Sequence, residues 1–112
     1  MNNIHIPIEF QIFGHTYTVK LKKKVNKEND LGTHSRDKKQ IKLKEAGDSY
    51  DQVNVEETYL HEVMHCVLDH LGYDELSDDE AFVSQMSKAL HQILKTSVYE
   101  KASGKEPSPG KS

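Results

Sequence analysis

Two histidines four residues apart, with a glutamate directly after the first, constrain this chain more than any other feature. They form the run His61-Glu62-Val63-Met64-His65, which lies in a stretch whose apolar residues recur at helical spacing. Residues four apart on an α-helix lie one above the other on the same face. The pattern therefore predicts an amphipathic helix over residues 55–71, with both imidazoles at the edge of its apolar stripe.

The ends of this helix carry recognisable signals. Asn54 is a favourable N-cap, and Glu57 three residues later completes a capping-box pattern. Gly72 follows Leu71, and glycine is the residue that most often ends a helix at this position. The predicted helix has about five turns, which is long enough to hold both histidines rigidly.

Alternating apolar and polar residues before the helix predict β-strands. Residues 4–25 have the pattern of a β-hairpin with a turn at Gly14-His15. Residues 33–44 predict a third strand, in which Ile41 and Leu43 are the inward pair. We expect a small, twisted, mostly antiparallel three-stranded sheet.

A second amphipathic stretch follows the histidine helix. Ser77 is a suitable N-cap with Glu80 three residues on, which predicts a helix over residues 78–99. Its expected buried stripe consists of Phe82, Val83, Met86, Leu90, Ile93 and Leu94. The fold class is α+β, with the sheet packed on both helices. We expect one domain over residues 1–101 and a flexible polar tail over residues 102–112.

Composition narrows the classes of partner and compartment. The 112 residues carry a formal net charge of −3, which argues against an electrostatically driven nucleic-acid binder despite a basic run over residues 20–27. Cys66 is the only cysteine, so no intramolecular disulfide can form. The sequence shows no signal-peptide pattern and no apolar stretch of membrane-spanning length. We expect a cytoplasmic protein without membrane contact.

The histidine pair points to a specific chemistry. Two imidazoles at this spacing can bind one zinc ion, and a glutamate beside them can take a proton from a zinc-bound water. The pattern indicates a zinc metallopeptidase that hydrolyses a peptide bond in a protein or peptide substrate. In this interpretation His61 and His65 bind Zn²⁺, and Glu62 is the general base.

Catalytic zinc normally takes three protein ligands and leaves one position for water. His70 is badly placed for the third, because it projects away from the histidine pair near the C-terminus of the helix, where we expect an exposed, partly positive imidazole. An acid in the first turn of the second helix is better placed if that helix packs across the first. We expect Glu80 to be the third ligand, with Asp79 as the alternative.

The runs Thr58–His65, Leu76–Val83 and Ala89–Leu94 resemble the minigluzincins and the ImmA/IrrE-type metallopeptidases of phages and mobile elements. The similarity covers roughly residues 30–95, and its specific part is the two histidines and the glutamate. The resemblance implies a minimal zincin, with a small twisted sheet, an active-site helix and a glutamate helix that supplies the third ligand. It also implies zinc-dependent peptide hydrolysis, in the host cytoplasm if the protein is phage-encoded.

Two other functions remain open at this point. The chain could be a catalytically silent, zinc-stabilised protein-binding module, or a nucleic-acid accessory protein that uses the basic run. Glu62 favours the enzyme, because a structural zinc site has no use for a base at that position.

A peptidase also needs a donor for the oxyanion. The candidates, among which His34 and Arg36 are slightly favoured, are Tyr50, Tyr59, Tyr73, His34 and Arg36.

Overall fold

A computed structural model describes residues 4–25 and 30–100, which form a four-stranded mixed sheet and three helices. The strands are β1 (Glu9–Ile12), β2 (His15–Lys22), β3 (Gly32–Ser35) and β4 (Gln40–Lys44). The helices are α1 (Gln52–Leu71), α2 (Asp74–Asp78) and α3 (Glu80–Thr96). The expected α+β class is confirmed. The expected tail over residues 102–112 and the end of the basic run lie outside the described residues.

The strand order in the sheet is β1-β2-β4-β3. The outer pairs are antiparallel, whereas β2 and β4 run parallel. The prediction of a mostly antiparallel three-stranded sheet was wrong, because residues 33–44 do not form one strand. Four polar residues at positions 36–39 turn the chain between β3 and β4, and the Ser35 hydroxyl accepts a hydrogen bond from the Lys38 amide at 3.2 Å.

The first hairpin turns one residue earlier than predicted. Ile12 pairs with His15, so the two turn residues are Phe13 and Gly14, with φ values of 49° and 83°. Two-residue hairpins favour turns in which both central residues have positive φ, because that backbone twist matches the twist of the strands. Ile8 and Leu21 are exposed, although Ile8 alternates in step with Ile12 and Leu21 alternates in step with Tyr17 along the sequence.

The core lies between the sheet and one face of α1. Its buried side chains include Tyr17, Val19, Ile41, Leu43, Val55 and Cys66. Ile41 and Leu43, the predicted inward pair, are fully buried. Gly32 lets β3 approach α1 closely, because a Cβ atom at this position would lie 2.6 Å from Thr58 Cγ2. This approach places β3 beside the histidine-bearing part of α1.

The helix that carries His61 and His65 begins earlier than predicted. Asp51, not Asn54, is its N-cap, and the Asp51 carboxylate accepts a hydrogen bond from the Asn54 amide at 3.1 Å. The predicted C-terminal end of this helix, at Leu71 with Gly72 following, was correct. Gly72 has a φ of 80°, and its N–H donates to the carbonyl oxygens of Leu68 and Asp69.

The predicted helix over residues 78–99 is interrupted. Asp79 has an extended backbone, with φ −84° and ψ 91°, and separates α2 from α3. Its carboxylate caps α3 by accepting from the Phe82 amide at 3.0 Å. Ser77 was therefore wrongly predicted as the N-cap, and its side chain is buried against α1 instead. The new helix starts at Glu80.

The buried face of α3 is more polar than the predicted stripe. Val83, Ser87, His91 and Lys95 are buried, whereas Met86, Ile93 and Leu94 are exposed, contrary to prediction. The reason lies on α1, where the fully buried Glu56 faces α3. His91 Nε2 and Lys95 Nζ lie 2.8 and 3.2 Å from Glu56 Oε1. Because His91 and Lys95 pair with the buried carboxylate of Glu56, the polar side of α3 faces α1.

Candidate metal centre

His61 and His65 converge on one point beside α1. Their Nε2 atoms are 3.2 Å apart, and their ring centroids are 4.8 Å apart at an angle of 67°. The spacing of four residues produces this convergence, as the sequence pattern predicted. His65 is buried and His61 is half-buried, so the pair lies at the boundary between core and solvent.

Glu80 completes the group from the first residue of α3. Its Oε2 lies 3.0 Å from His61 Nε2, and its Oε1 lies 2.9 Å from His65 Nε2. One ligand atom from each of the three side chains lies within 4.8 Å of the others, so the group could hold a metal ion. The carboxylate of Asp79, the alternative third ligand, is engaged in capping α3.

The second nitrogen of each imidazole also has a partner. His65 Nδ1 is 3.0 Å from the buried Ser77 Oγ, and His61 Nδ1 is 3.4 Å from Ser84 Oγ. When Nε2 faces a metal, Nδ1 carries the ring proton and can donate it to these hydroxyls, which fixes the tautomer and the ring orientation. No sequence pattern indicated this role for Ser77, because its position also suited an N-cap.

Glu62 lies beside the histidine pair and is largely buried. Its Oε1 accepts a hydrogen bond from His34 Nδ1 at 2.6 Å. The His34 ring also stacks on His65, with centroids 4.9 Å apart and planes 13° apart. The hydrogen bond to Glu62 raises the pKa of His34 against the opposing effect of burial. His34, a candidate oxyanion donor from the sequence, thus contacts the predicted general base.

The metal-binding group of His61, His65 and Glu80 lines a cleft of about 350 Å³ between β3 and the helices. Its lining consists of Asp30, Gly32, Thr33, His34, His61, Glu62, His65 and Glu80. A neighbouring cleft of about 410 Å³ shares Gly32, His61 and Glu62 and extends along α1 and α3. β3 is the last strand of the sheet, and among the described residues no strand pairs with its outer edge.

The other predicted oxyanion donors are engaged elsewhere or exposed, and none lines the first cleft. Arg36 Nη1 donates to the Asp69 carbonyl at 3.4 Å. Tyr50 Oη donates to the Asn54 carbonyl at 3.1 Å. Tyr59 packs edge-on against Phe10, and Tyr73 is exposed.

Two further residues of α1 lie outside the metal-binding group. The expectation of an exposed, partly positive His70 was wrong: its Nε2 lies 2.8 Å from Tyr17 Oη, and its ring stacks on His15 at 4.7 Å. Burial, together with the charge of His15, lowers the pKa of His70. Cys66 is a buried thiol, and burial raises its pKa to about 12.

Comparisons of the chain with protein-family models, curated proteins and solved structures find no match. No helix within the described part of the chain is long and apolar enough to cross a membrane. The resemblance to the minigluzincins therefore depends on the residues of this chain alone.

Proposed function

We propose that this chain is a zinc-dependent metallopeptidase with a minimal zincin fold. One observation carries the proposal: the Nε2 atoms of His61 and His65 and the carboxylate of Glu80 meet at one point on an open cleft. Glu62 lines the same cleft. This combination of three converging donors, a neighbouring carboxylate and open space is what metal-assisted hydrolysis requires.

The donor set suits zinc. Two imidazole nitrogens and one carboxylate oxygen match the ligands of catalytic zinc sites, whereas calcium and magnesium prefer oxygen ligands throughout. The hydrogen bond between His65 Nδ1 and Ser77 Oγ orients one ligand ring in the way that metal-bound histidines usually need. The cleft leaves room beside the three donors for water and for a substrate carbonyl.

When bound, zinc would supply a Lewis acid and lower the pKa of a coordinated water. His61 and His65 would hold their ring protons on Nδ1, opposite the metal-facing Nε2 atoms. Glu62 would accept the proton of the attacking water at Oε2 and deliver it to the leaving amine. An extended peptide would pair with the free edge of β3, which brings its backbone across the cleft.

A zinc-stabilised binding module without turnover is the second candidate. It is supported by the position of the three donors, because an ion held by α1 and α3 would cross-link the two helices. The enzyme remains our first choice because Glu62 lines the cleft beside the donors but does not belong to the metal-binding group.

The test is zinc-dependent cleavage of a randomised peptide library, analysed by mass spectrometry. We expect the zinc-loaded protein to cut a subset of peptides, the chelator-treated protein to cut none, and zinc addition to restore cleavage. The His65→Ala variant, purified in parallel, should neither retain zinc nor cut. A protein that binds one zinc ion per chain and cuts no peptide would favour the binding module.

Replacing Ser77 tests how the metal ligands are held. We expect Ser77→Ala to weaken zinc binding by about 10- to 100-fold. Losing the hydrogen bond to the ring nitrogen of a ligand histidine that does not face the metal usually lowers metal affinity by this factor. Competition with a chromophoric chelator measures the affinity. Ser97→Ala, at the C-terminal end of α3, is the matched control and should bind zinc like the wild type. Equal affinities for the two variants would show that Ser77 does not orient His65.

A further inference from the structure

His34 is held between two carboxylates of α1. It lies on β3 in register with Ile41, and its side chain reaches α1, where Nδ1 is 2.6 Å from Glu62 Oε1. Nε2 lies 3.6 Å from Asp69 Oδ2, two helical turns further along α1. A carboxylate can only accept hydrogen bonds when ionised, so the proton of this contact belongs to His34 Nδ1.

The imidazole has little freedom to leave this position. Its ring lies nearly parallel to that of His65, with centroids 4.9 Å apart. It also lines the same cleft as Glu62 and the metal-binding group. Stacking fixes the plane of the ring, and the two flanking carboxylates fix its direction within that plane.

The contact occupies one oxygen of Glu62 and leaves the other available. Among the described residues, Oε1 is bonded to His34 and no hydrogen bond engages Oε2. A glutamate side chain has several rotatable bonds, so an unanchored carboxylate would spend its time in many orientations. Anchoring Oε1 holds the carboxylate in one orientation.

We propose that His34 is the positioning residue for Glu62, and that it holds Oε1 so that Oε2 faces the metal-bound water. This inference rests on the proposed peptidase function. It differs from an oxyanion-stabilising role, because the Nδ1 proton of His34 is donated to the protein rather than to substrate. The substrate would therefore not depend on His34 for binding, whereas the proton transfer would.

Three variants of His34 distinguish the effect of its hydrogen-bond donor from the effect of its aromatic ring. His34→Phe keeps a flat ring that can stack on His65 but removes the donor. His34→Asn loses the ring but places an N–H close to the position of Nδ1, and His34→Ala removes both. His15→Ala is the matched control, because His15 also lies on a strand and stacks on a helix histidine, His70, outside the metal-binding group.

The measurement is kcat and KM of the zinc-loaded variants on a fluorogenic form of the library peptide that the wild type cuts fastest, with zinc content and circular dichroism recorded alongside. We expect His34→Phe and His34→Ala to lose about 10- to 100-fold in kcat with little change in KM or zinc content. His34→Asn should recover most of kcat, and His15→Ala should equal the wild type.

The outcomes separate this inference from the proposed function. A wild-type protein without zinc-dependent cleavage overturns both. An active wild type with full kcat in His34→Phe overturns the positioning role alone. A rise in KM at constant kcat also overturns it, since that result would assign His34 to substrate binding. Should His34→Ala lose its fold, the comparison of Phe with Asn still decides between these outcomes.

Discussion

Zinc-loaded Glu62→Gln is expected to hydrolyse the library peptides about 10²- to 10⁴-fold more slowly than the wild type while binding zinc with the same affinity. The substitution keeps the shape of the side chain and its acceptor oxygen, so the contact with His34 Nδ1 can persist. An amide cannot accept the proton of the attacking water, and the general-base step is lost. The group of His61, His65 and Glu80 is unchanged.

Steady-state kinetics and zinc titration on the same preparations measure the two quantities separately. Glu75→Gln, which makes the same chemical change at an exposed position on α2, is the matched control and should behave like the wild type. Cleavage at the wild-type rate in Glu62→Gln would remove Glu62 from the mechanism. Loss of zinc together with activity would give Glu62 a structural role instead.

Glu56→Ala is expected to lower the free energy of unfolding by about 3–5 kcal/mol. Glu56 is fully buried between α1 and α3, where His91 Nε2 and Lys95 Nζ lie 2.8 and 3.2 Å from its Oε1. Removing the carboxylate takes a counter-charge from the buried side chains of His91 and Lys95. Breaking a buried ion pair by removing one partner costs more than the intact pair contributes to stability.

Urea denaturation at neutral pH with chelator present measures this effect without a contribution from zinc. Glu57→Ala is the matched control, because Glu57 is the next residue on α1 and its carboxylate is 4.0 Å from His91 Nδ1 and partly exposed. We expect the control to cost less than about 1 kcal/mol. Equal losses for the two variants would show that the buried network does not stabilise the packing of α3.

The same network predicts a pH dependence of stability. Burial raises the pKa of Glu56, but hydrogen bonds from His91 and Lys95 outweigh it, and the folded-state pKa lies below the ordinary value of 4.5. A depressed carboxyl pKa contributes stability above the unfolded value, and the contribution is lost as the pH falls through the folded value. The wild type should therefore lose this increment on acidification below pH 4.5, and Glu56→Gln should lack it.

The convergence of His61 and His65 could be predicted from sequence because it depends on helical periodicity alone. A spacing of four residues on one helix places the rings together without reference to any other element. The hydroxyl groups that lie beside the Nδ1 atoms of these two rings could not be predicted in the same way. Ser77 contacts His65 from within α2, whereas in the sequence it suited equally well the N-cap of the following helix.

The identity of the third acid was harder to predict. Glu80 and Asp79 are adjacent in the sequence, and both suit the first turn of a helix. In the structure the carboxylate of Asp79 caps α3 by accepting a hydrogen bond from the Phe82 backbone amide. The carboxylate of Glu80 instead contacts both histidines. Helix boundaries are the least certain part of a sequence prediction, and here the choice between the two acids depends on the residue at which α3 begins.

The packing of α3 and the topology of the sheet depend on long-range contacts. The apolar pattern of α3 predicted that Met86, Ile93 and Leu94 would be buried, but the need to pair Glu56 turns His91 and Lys95 inward. The pattern over residues 33–44 likewise gave no sign that β4 pairs in parallel with β2. Periodicity shows which face of an element is apolar but not which partner it meets.

X-ray absorption at the zinc edge tests the central claim most directly. The wild type loaded with one zinc ion per chain should show two imidazole ligands, nitrogen or oxygen neighbours at about 2.0–2.1 Å, and no sulfur neighbour at about 2.3 Å. His61→Ala should lose that signature. A spectrum with a sulfur ligand from Cys66, or one without imidazole scattering, would contradict a zinc site formed by His61, His65 and Glu80.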